Sequence, residues 1–221
     1  RGGSASVDPL EHGFDPTDAG FYHGGDLAGL EGKLDYLDGL GVTALWITPP
    51  FQNRWVQGDG TMGGSSAGYH GTWQVDLTTI DPHLGSNQEM KDLIAAAHAL
   101  GMKVYFDVVT NHTGDVIQYV GGGSAYRDKT DYPYRDAGGN VFDDRDYAGT
   151  GTFPALDPGV SFPYVPTFAT PADQAVKKPD FLDDPIYYHN RGDATFAGES
   201  SQYGDLFGLD DLFTEHPDVV A

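Results

Sequence analysis

The 221 residues carry 12 Lys and Arg against 33 Asp and Glu, a formal net charge of −21. That balance repels phosphate backbones and anionic lipid and excludes nucleic acid and membrane surfaces as partners. The chain has no cysteine, which removes disulfides, thiolate nucleophiles and thiolate zinc sites. Acidity of this degree suits neutral substrates and hard cations such as calcium.

In chain order, the opening RGGSASVDPLEHGFD reads as internal sequence and carries no signal-peptide pattern. The stretch GGDLAGLEGKLDYLDGLG then puts Leu30, Leu34 and Leu37 at helical spacing, with Gly41 placed to end one amphipathic helix. VTALWITPP follows as a continuous apolar run stopped by Pro49 and Pro50, the pattern of a strand buried on both faces. A Gly-rich excursion leads through GYHGTWQVDLTTIDPHLG to SNQEMKDLIAAAHALG. There Ser86 and Glu89 have capping-box spacing, and Met90, Leu93, Ile94 and Ala97 form one apolar stripe. MKVYFDVV supplies the next buried strand. Strand, excursion, helix and strand make a βαβ unit, whose crossover predicts parallel strands.

From about Thr113 to Ser201 the texture turns to Gly, Asp, Tyr and Pro without sustained periodicity. Aromatics such as Tyr134, Phe142, Phe153 and Phe162 are too numerous for a chain that never collapses, so the segment is expected to form an irregular small domain.

The second strand runs into DVVTNH, which puts Asp107, Asn111 and His112 at its carboxyl end. In parallel α/β sheets that end carries function. Asn offers a neutral oxygen to calcium, His a donor and an acceptor to a sugar hydroxyl or a metal, and Asp107 a hydrogen-bond acceptor that orients neighbouring loops. Taken alone, Asn-His after a strand reads more readily as a turn cap than as a site.

The order and spacing of GGDLAGLEGKLDYLDGLGVTALWITPP, AGYHGTWQVD, DVVTNH and FGLDDLF resemble those of the α-amylase family of glycoside hydrolases. The resemblance is strongest over residues 21–112 and 189–216. It implies a partial (β/α)8 TIM barrel with an irregular domain inserted after the third barrel strand. Residues 1–112 would then be the N-terminal part of the catalytic barrel, 113–201 the inserted domain and 202–221 a return segment to the barrel. The implied parent is a secreted retaining hydrolase of internal α-1,4-glucosidic bonds in starch-like glucans, whose partners are the glucan and the remainder of the same catalytic domain.

By the same resemblance the Asp nucleophile, the Glu acid/base and the assisting Asp lie on strands beyond residue 221, so no catalytic residue is expected in this segment. Glu199, Glu215 and Asp210 are read as structural acids. His70 and His112 resemble the histidines that bond the sugar at the cleavage subsite, with Tyr69 and Trp73 beside them. Asn111 and Asp211 resemble two ligands of a calcium ion, and Asp205 is a further candidate ligand. One departure stands out: many relatives have Tyr where this chain has Thr72, and a threonine cannot supply an aromatic face. Alternatives within the resemblance are a glucan transglycosylase, a pullulan-cleaving enzyme or a non-catalytic carbohydrate-binding relative. A hydrolytic metal site on His70 and His112 lacks acidic partners at ligand spacing.

Overall fold

A computed structural model describes residues 8–221. The chain divides after Val109 into two compact units, each with its own apolar core.

The first unit opens with a one-turn helix α1 (Pro9–His12), capped by Asp8. The single helix predicted next is two: α2 (Leu27–Glu31) and α3 (Leu34–Gly39). Asp26 caps α2 by accepting from the Gly29 N–H. The break falls at Gly32-Lys33, where glycine is a poor helix residue. Leu27 and Leu34 nevertheless point to one core, so the spacing located the buried face while missing the interruption.

The strands are β1 (Ala44–Ile47), β2 (Phe51–Asn53), β3 (Val56–Gly58), β4 (Ser65–Ala67) and β5 (Gln74–Ile80), followed by helix α4 (Asn87–Ala99) and strand β6 (Lys103–Phe106). β1 and β6 pair in parallel, Ala44 opposite Lys103 through Ile47 opposite Phe106, as the βαβ reading requires. The excursion between them is ordered: β2 pairs antiparallel with β5, and β3 with β4. Helix α4 begins as expected, the Ser86 hydroxyl accepting from the Glu89 N–H at 3.2 Å and donating to its carboxylate at 2.9 Å. Met90, Leu93 and Ala97 pack with Leu27, Leu34, Leu45, Ile80 and Met102. Fully burying a side chain such as Leu93 contributes about 1.5–3 kcal/mol.

Burial of the parallel strands on both faces is not observed. Leu45 and Val104 face the helices, whereas Trp46 and Tyr105, paired on the opposite face, are 78% and 52% exposed. A side chain of that size is left open because β1 and β6 form a sheet of only two strands among the described residues.

The second unit has little regular structure. β7 (Ile117–Tyr119) pairs antiparallel with β8 (Pro166–Phe168), and several 3-10 turns follow, including Asp144–Asp146 and Pro185–Tyr187. The expected collapse of aromatics is seen: Tyr134, Phe162 and Phe213 are buried together, with Phe142 and Phe153 against them. Residues 202–221, expected as a return segment to the barrel, belong to this unit, and Phe213 lies in its core. Buried charges tie the irregular loops together. Lys177 Nζ meets Asp210 at 2.5 Å with both side chains almost fully buried, and Asp210 also accepts from the N–H groups of Val116 and Ile117 at 3.1 Å. Burial alone would depress Lys177, but the charge and hydrogen bond of Asp210 raise it, while burial raises Asp210 against the lowering effect of Lys177. Lys129 caps the buried Asp144 through both carboxylate oxygens, at 2.7 and 2.8 Å.

Candidate active-site framework

In the first unit the residues of interest sit on the turn before β5. Gly71 has φ +82°, and a Cβ there would lie 2.2 Å from the Pro49 carbonyl oxygen, so only glycine lets the chain reverse so close to the end of β1. The turn is pinned beyond it, where the Trp73 N–H donates to Asn53 Oδ1 at 2.7 Å and the Arg54 N–H to the Trp73 carbonyl at 2.8 Å. His70 projects from this turn between two rings. Trp73 meets it edge-on at 4.7 Å between centroids, and Tyr69 does so at 5.2 Å. Partial burial lowers the His70 pKa from the ordinary imidazole value, favouring a neutral ring. Tyr69 is 49% exposed and borders a small cavity shared with Phe14, Tyr22, His23 and His83. The structure thus brings Tyr69, His70 and Trp73 together, with Trp73 buttressing the imidazole and Tyr69 open to solvent. The Asp107 carboxylate is exposed, and only its N–H extends the sheet, to the Ile47 carbonyl at 2.9 Å; the loop-bracing role expected of its side chain is not seen.

In the second unit Asn111 and Asp211, 100 positions apart, meet: the Asn111 amide lies 2.8 Å from Asp211 Oδ1. The backbone holds them there. The Leu212 N–H donates to the Asn111 carbonyl at 2.9 Å and the Thr113 N–H to the Asp210 carbonyl at 3.0 Å, with His112 bridged to Asp211 in antiparallel fashion. Asp211 Oδ2 is buried without a hydrogen-bond partner. Burial first, and then the nearby Asp205 charge, push Asp211 up to about 9; burial and the Asp210 charge push Asp205 up to about 8. Asp211 Oδ2 also lies 3.7 Å from His189 Nε2, and a buried carboxyl whose charged form is this disfavoured is the environment a cation relieves. Both oxygens of Asp205 are engaged, one by the Tyr119 hydroxyl at 2.5 Å and the other by the Asp211 N–H at 3.2 Å, so Asp205 braces the residue that carries this carboxyl. Among the described residues no cluster of three or more His, Cys, Asp or Glu could hold a metal, so a complete cation shell would need backbone carbonyls and water besides Asn111 and Asp211. His112 is buried, keeping 8% of its surface.

The remaining acids have structural partners. Glu199 accepts from the Tyr126 hydroxyl at 2.7 Å and the Lys129 N–H at 2.8 Å. Glu215 lies 3.4 Å from His189 Nε2, while Nδ1 of that ring is 2.7 Å from the Tyr134 hydroxyl. The sequence reading missed Phe196 and Phe207. Their rings are 4.9 Å apart, they are 55% and 80% exposed, and both have positive φ, 58° and 56°. Bulky residues rarely adopt that conformation. The only trace in the sequence is Phe207 before Gly208 in FGLDDLF, and an aromatic there reads as core.

A sequence profile described as "Alpha amylase, catalytic domain" matches residues 8–221. The chain belongs to the α-amylase family. Over 213 residues it is 55% identical to an α-amylase of Streptomyces lividans, covering 96% of this chain and 23% of that protein. A cyclomaltodextrin glucanotransferase of Klebsiella oxytoca is 40% identical over 127 residues, 54% of this chain and 18% of that one. Among solved structures, an α-amylase from Malbranchea cinnamomea superposes with a TM-score of 0.56 at 25% identity, covering 94% of this chain and 33% of that one. The chain therefore spans no more than a third of these α-amylase-family proteins, from 18% to 33% of their length. Its fold is part of their TIM barrel, and the described residues contain no closed barrel.

Proposed function

We propose that this chain is the N-terminal part of the catalytic domain of a retaining α-amylase, cutting internal α-1,4-glucosidic bonds of starch-like glucans. The observation that carries the reading is the match of the α-amylase catalytic-domain profile along residues 8–221, supported by 55% identity to the Streptomyces lividans α-amylase. In this reading Tyr69, His70 and Trp73 form a sugar-binding wall in the first unit, and His112 is a separate candidate for contact with a sugar hydroxyl. A neutral His70 donates one hydrogen bond to a sugar hydroxyl without adding charge, a contact that gains strength as the ring distorts toward its partly cationic transition state.

None of the acids discussed is assigned to the reaction. Asp210, Glu199, Glu215 and Asp205 each have a structural partner, which supports reading the nucleophile and the acid/base as lying outside residues 1–221. Asn111 and Asp211 would hold calcium, with Asp205 fixing the Asp211 backbone. When bound, the ion supplies positive charge that neutralises the buried carboxylates and ties residue 111 to residue 211. The parent protein is expected to be secreted.

The second reading is a glucan transferase of the same family. The exposed Phe196–Phe207 pair favours it, since an aromatic surface can retain a sugar ring and keep an acceptor in place. Incubating the full-length protein with soluble starch tests the main reading: iodine staining should fall well before reducing ends approach completion, as internal cleavage requires. Loss of iodine staining without new reducing ends would support transfer instead. No change in either would overturn both.

A further inference from the structure

We propose that Thr72 is a positioning residue that decides which ring nitrogen of His70 carries the proton. The inference rests on the reading of His70 as a sugar-binding residue only for its consequence in catalysis; the geometry stands apart from it. Two groups of Thr72 converge on His70 Nδ1. The backbone N–H of Thr72 donates to it at 3.2 Å, and the Thr72 hydroxyl lies 2.7 Å from the same nitrogen.

Accepting from the backbone N–H favours an unprotonated Nδ1, but at 3.2 Å that contact is the longer of the two and does not hold the tautomer by itself. The hydroxyl, at 2.7 Å, is the shorter contact, and donating to the same lone pair it supplies the stronger of the two bonds. The one in-plane lone pair of Nδ1 is thereby shared by two donors, and in the neutral ring the proton resides on Nε2. Burial lowers the His70 pKa, so the neutral ring with its fixed tautomer is the form present near neutrality. Trp73 and Tyr69, edge-on at 4.7 and 5.2 Å, block the ring from rotating away from this pair of donors. His70 therefore offers an N–H donor on the side away from the turn, the polarity required to bond a sugar oxygen.

This accounts for a threonine where an aromatic residue is common in the family. An aromatic side chain would contribute a stacking face, and tyrosine's hydroxyl sits too far along its ring to reach Nδ1 of a residue two positions earlier. Threonine gives up the stacking face and gains control of the imidazole. The requirement is for a hydroxyl on Cβ, which serine shares and the isosteric valine lacks.

The test uses the full-length protein labelled with 15N-histidine, His70 being assigned by its disappearance in His70→Asn. Wild type should show one deprotonated Nδ1 and one protonated Nε2. Thr72→Val keeps the backbone N–H at 3.2 Å and loses the hydroxyl at 2.7 Å, so both ring shifts should move part-way toward the average of the two tautomers, and Thr72→Ser should restore the wild-type pair. With starch-derived oligosaccharides, Thr72→Val should lower kcat/KM about tenfold, the loss of one hydrogen bond that orders a charged or reacting site, with Thr72→Ser within about twofold. Melting temperatures unchanged between Val and Ser variants exclude a folding cause. Identical His70 shifts in wild type and Thr72→Val would overturn the inference whatever the activity. A wild-type protein inert toward glucans would overturn the proposed function and leave the tautomer result standing.

Discussion

Replacing Lys177 by methionine removes one partner of the most deeply buried ion pair described in the second unit. Lys177 Nζ and Asp210 Oδ2 are 2.5 Å apart with side chains 1% and 3% exposed, so the variant leaves a carboxylate with no cation and no access to water. Breaking such a pair costs about 3–5 kcal/mol. The N–H groups of Val116 and Ile117 remain on Asp210, which places the expected loss near the lower end, about 3 kcal/mol. For a unit of this size that is a fall of about 13 °C in melting temperature. The methionine also gives up the contact of the ammonium with the Tyr188 ring, 3.8 Å to its centroid, which works in the same direction. Differential scanning calorimetry of the full-length protein reads the shift directly. Lys177→Met with Asp210→Asn should cost less than the two single changes added together, because the second substitution removes the stranded charge. A fall below about 2 °C in the single variant, or strict additivity in the cycle, would refute the view that this pair holds the irregular unit together.

Chelation tests the Asn111–Asp211 junction. Calcium that binds only the folded form raises its melting temperature, so removing it should lower that temperature in wild type and leave Asp211→Asn almost unchanged; equal responses would dismiss the two residues as ligands. Burial lowers the pKa values of His70 and His216. The unfolded chain therefore binds protons before the folded one, and stability present above about pH 6.5 is lost as pH falls through that value. Melting curves between mildly alkaline and mildly acidic pH should show this acid limb, and His70→Asn should make it shallower; an unaltered slope would contradict the burial argument. Phe207→Ala should raise KM for a long maltooligosaccharide about fivefold, the worth of one stacking contact, and steady-state kinetics with an unchanged KM would remove the pair from the binding surface. Residues 1–221 produced alone should release no reducing sugar from starch; turnover by them would refute placing the reacting carboxylates elsewhere.

What the sequence made legible was whatever rests on local periodicity or on short motifs. The Ser86–Glu89 capping box, the Met90–Leu93–Ala97 stripe and the parallel pairing of 44–47 with 103–106 all follow from spacing, because helix and strand periods act over a few residues. The convergence of Asn111 on Asp211 was reached through resemblance, since nothing local joins positions a hundred residues apart. The break at Gly32-Lys33 escaped because the Leu27–Leu34 stripe continues across it on one side of the chain. The exposure of Trp46 and Tyr105 escaped because an apolar run specifies what a strand prefers to touch and cannot say which neighbours are present. In the second unit, Lys177 and Arg191 look like surface residues in sequence, yet both are almost wholly buried. Their positions depend on carboxylates, carbonyls and rings supplied by distant loops, Asp210 for Lys177 and the Tyr134 face for Arg191. Phe196 and Phe207 failed in the opposite sense, apolar residues held outward by left-handed backbone.

The most direct test of the proposed activity is proton NMR of maltopentaose during its first turnovers by the full-length protein. A retaining cut at an internal α-1,4 bond gives new reducing ends that appear first as the α-anomer and only later equilibrate with the β-anomer. β-Anomer appearing first, or no new reducing end at all, would contradict the account.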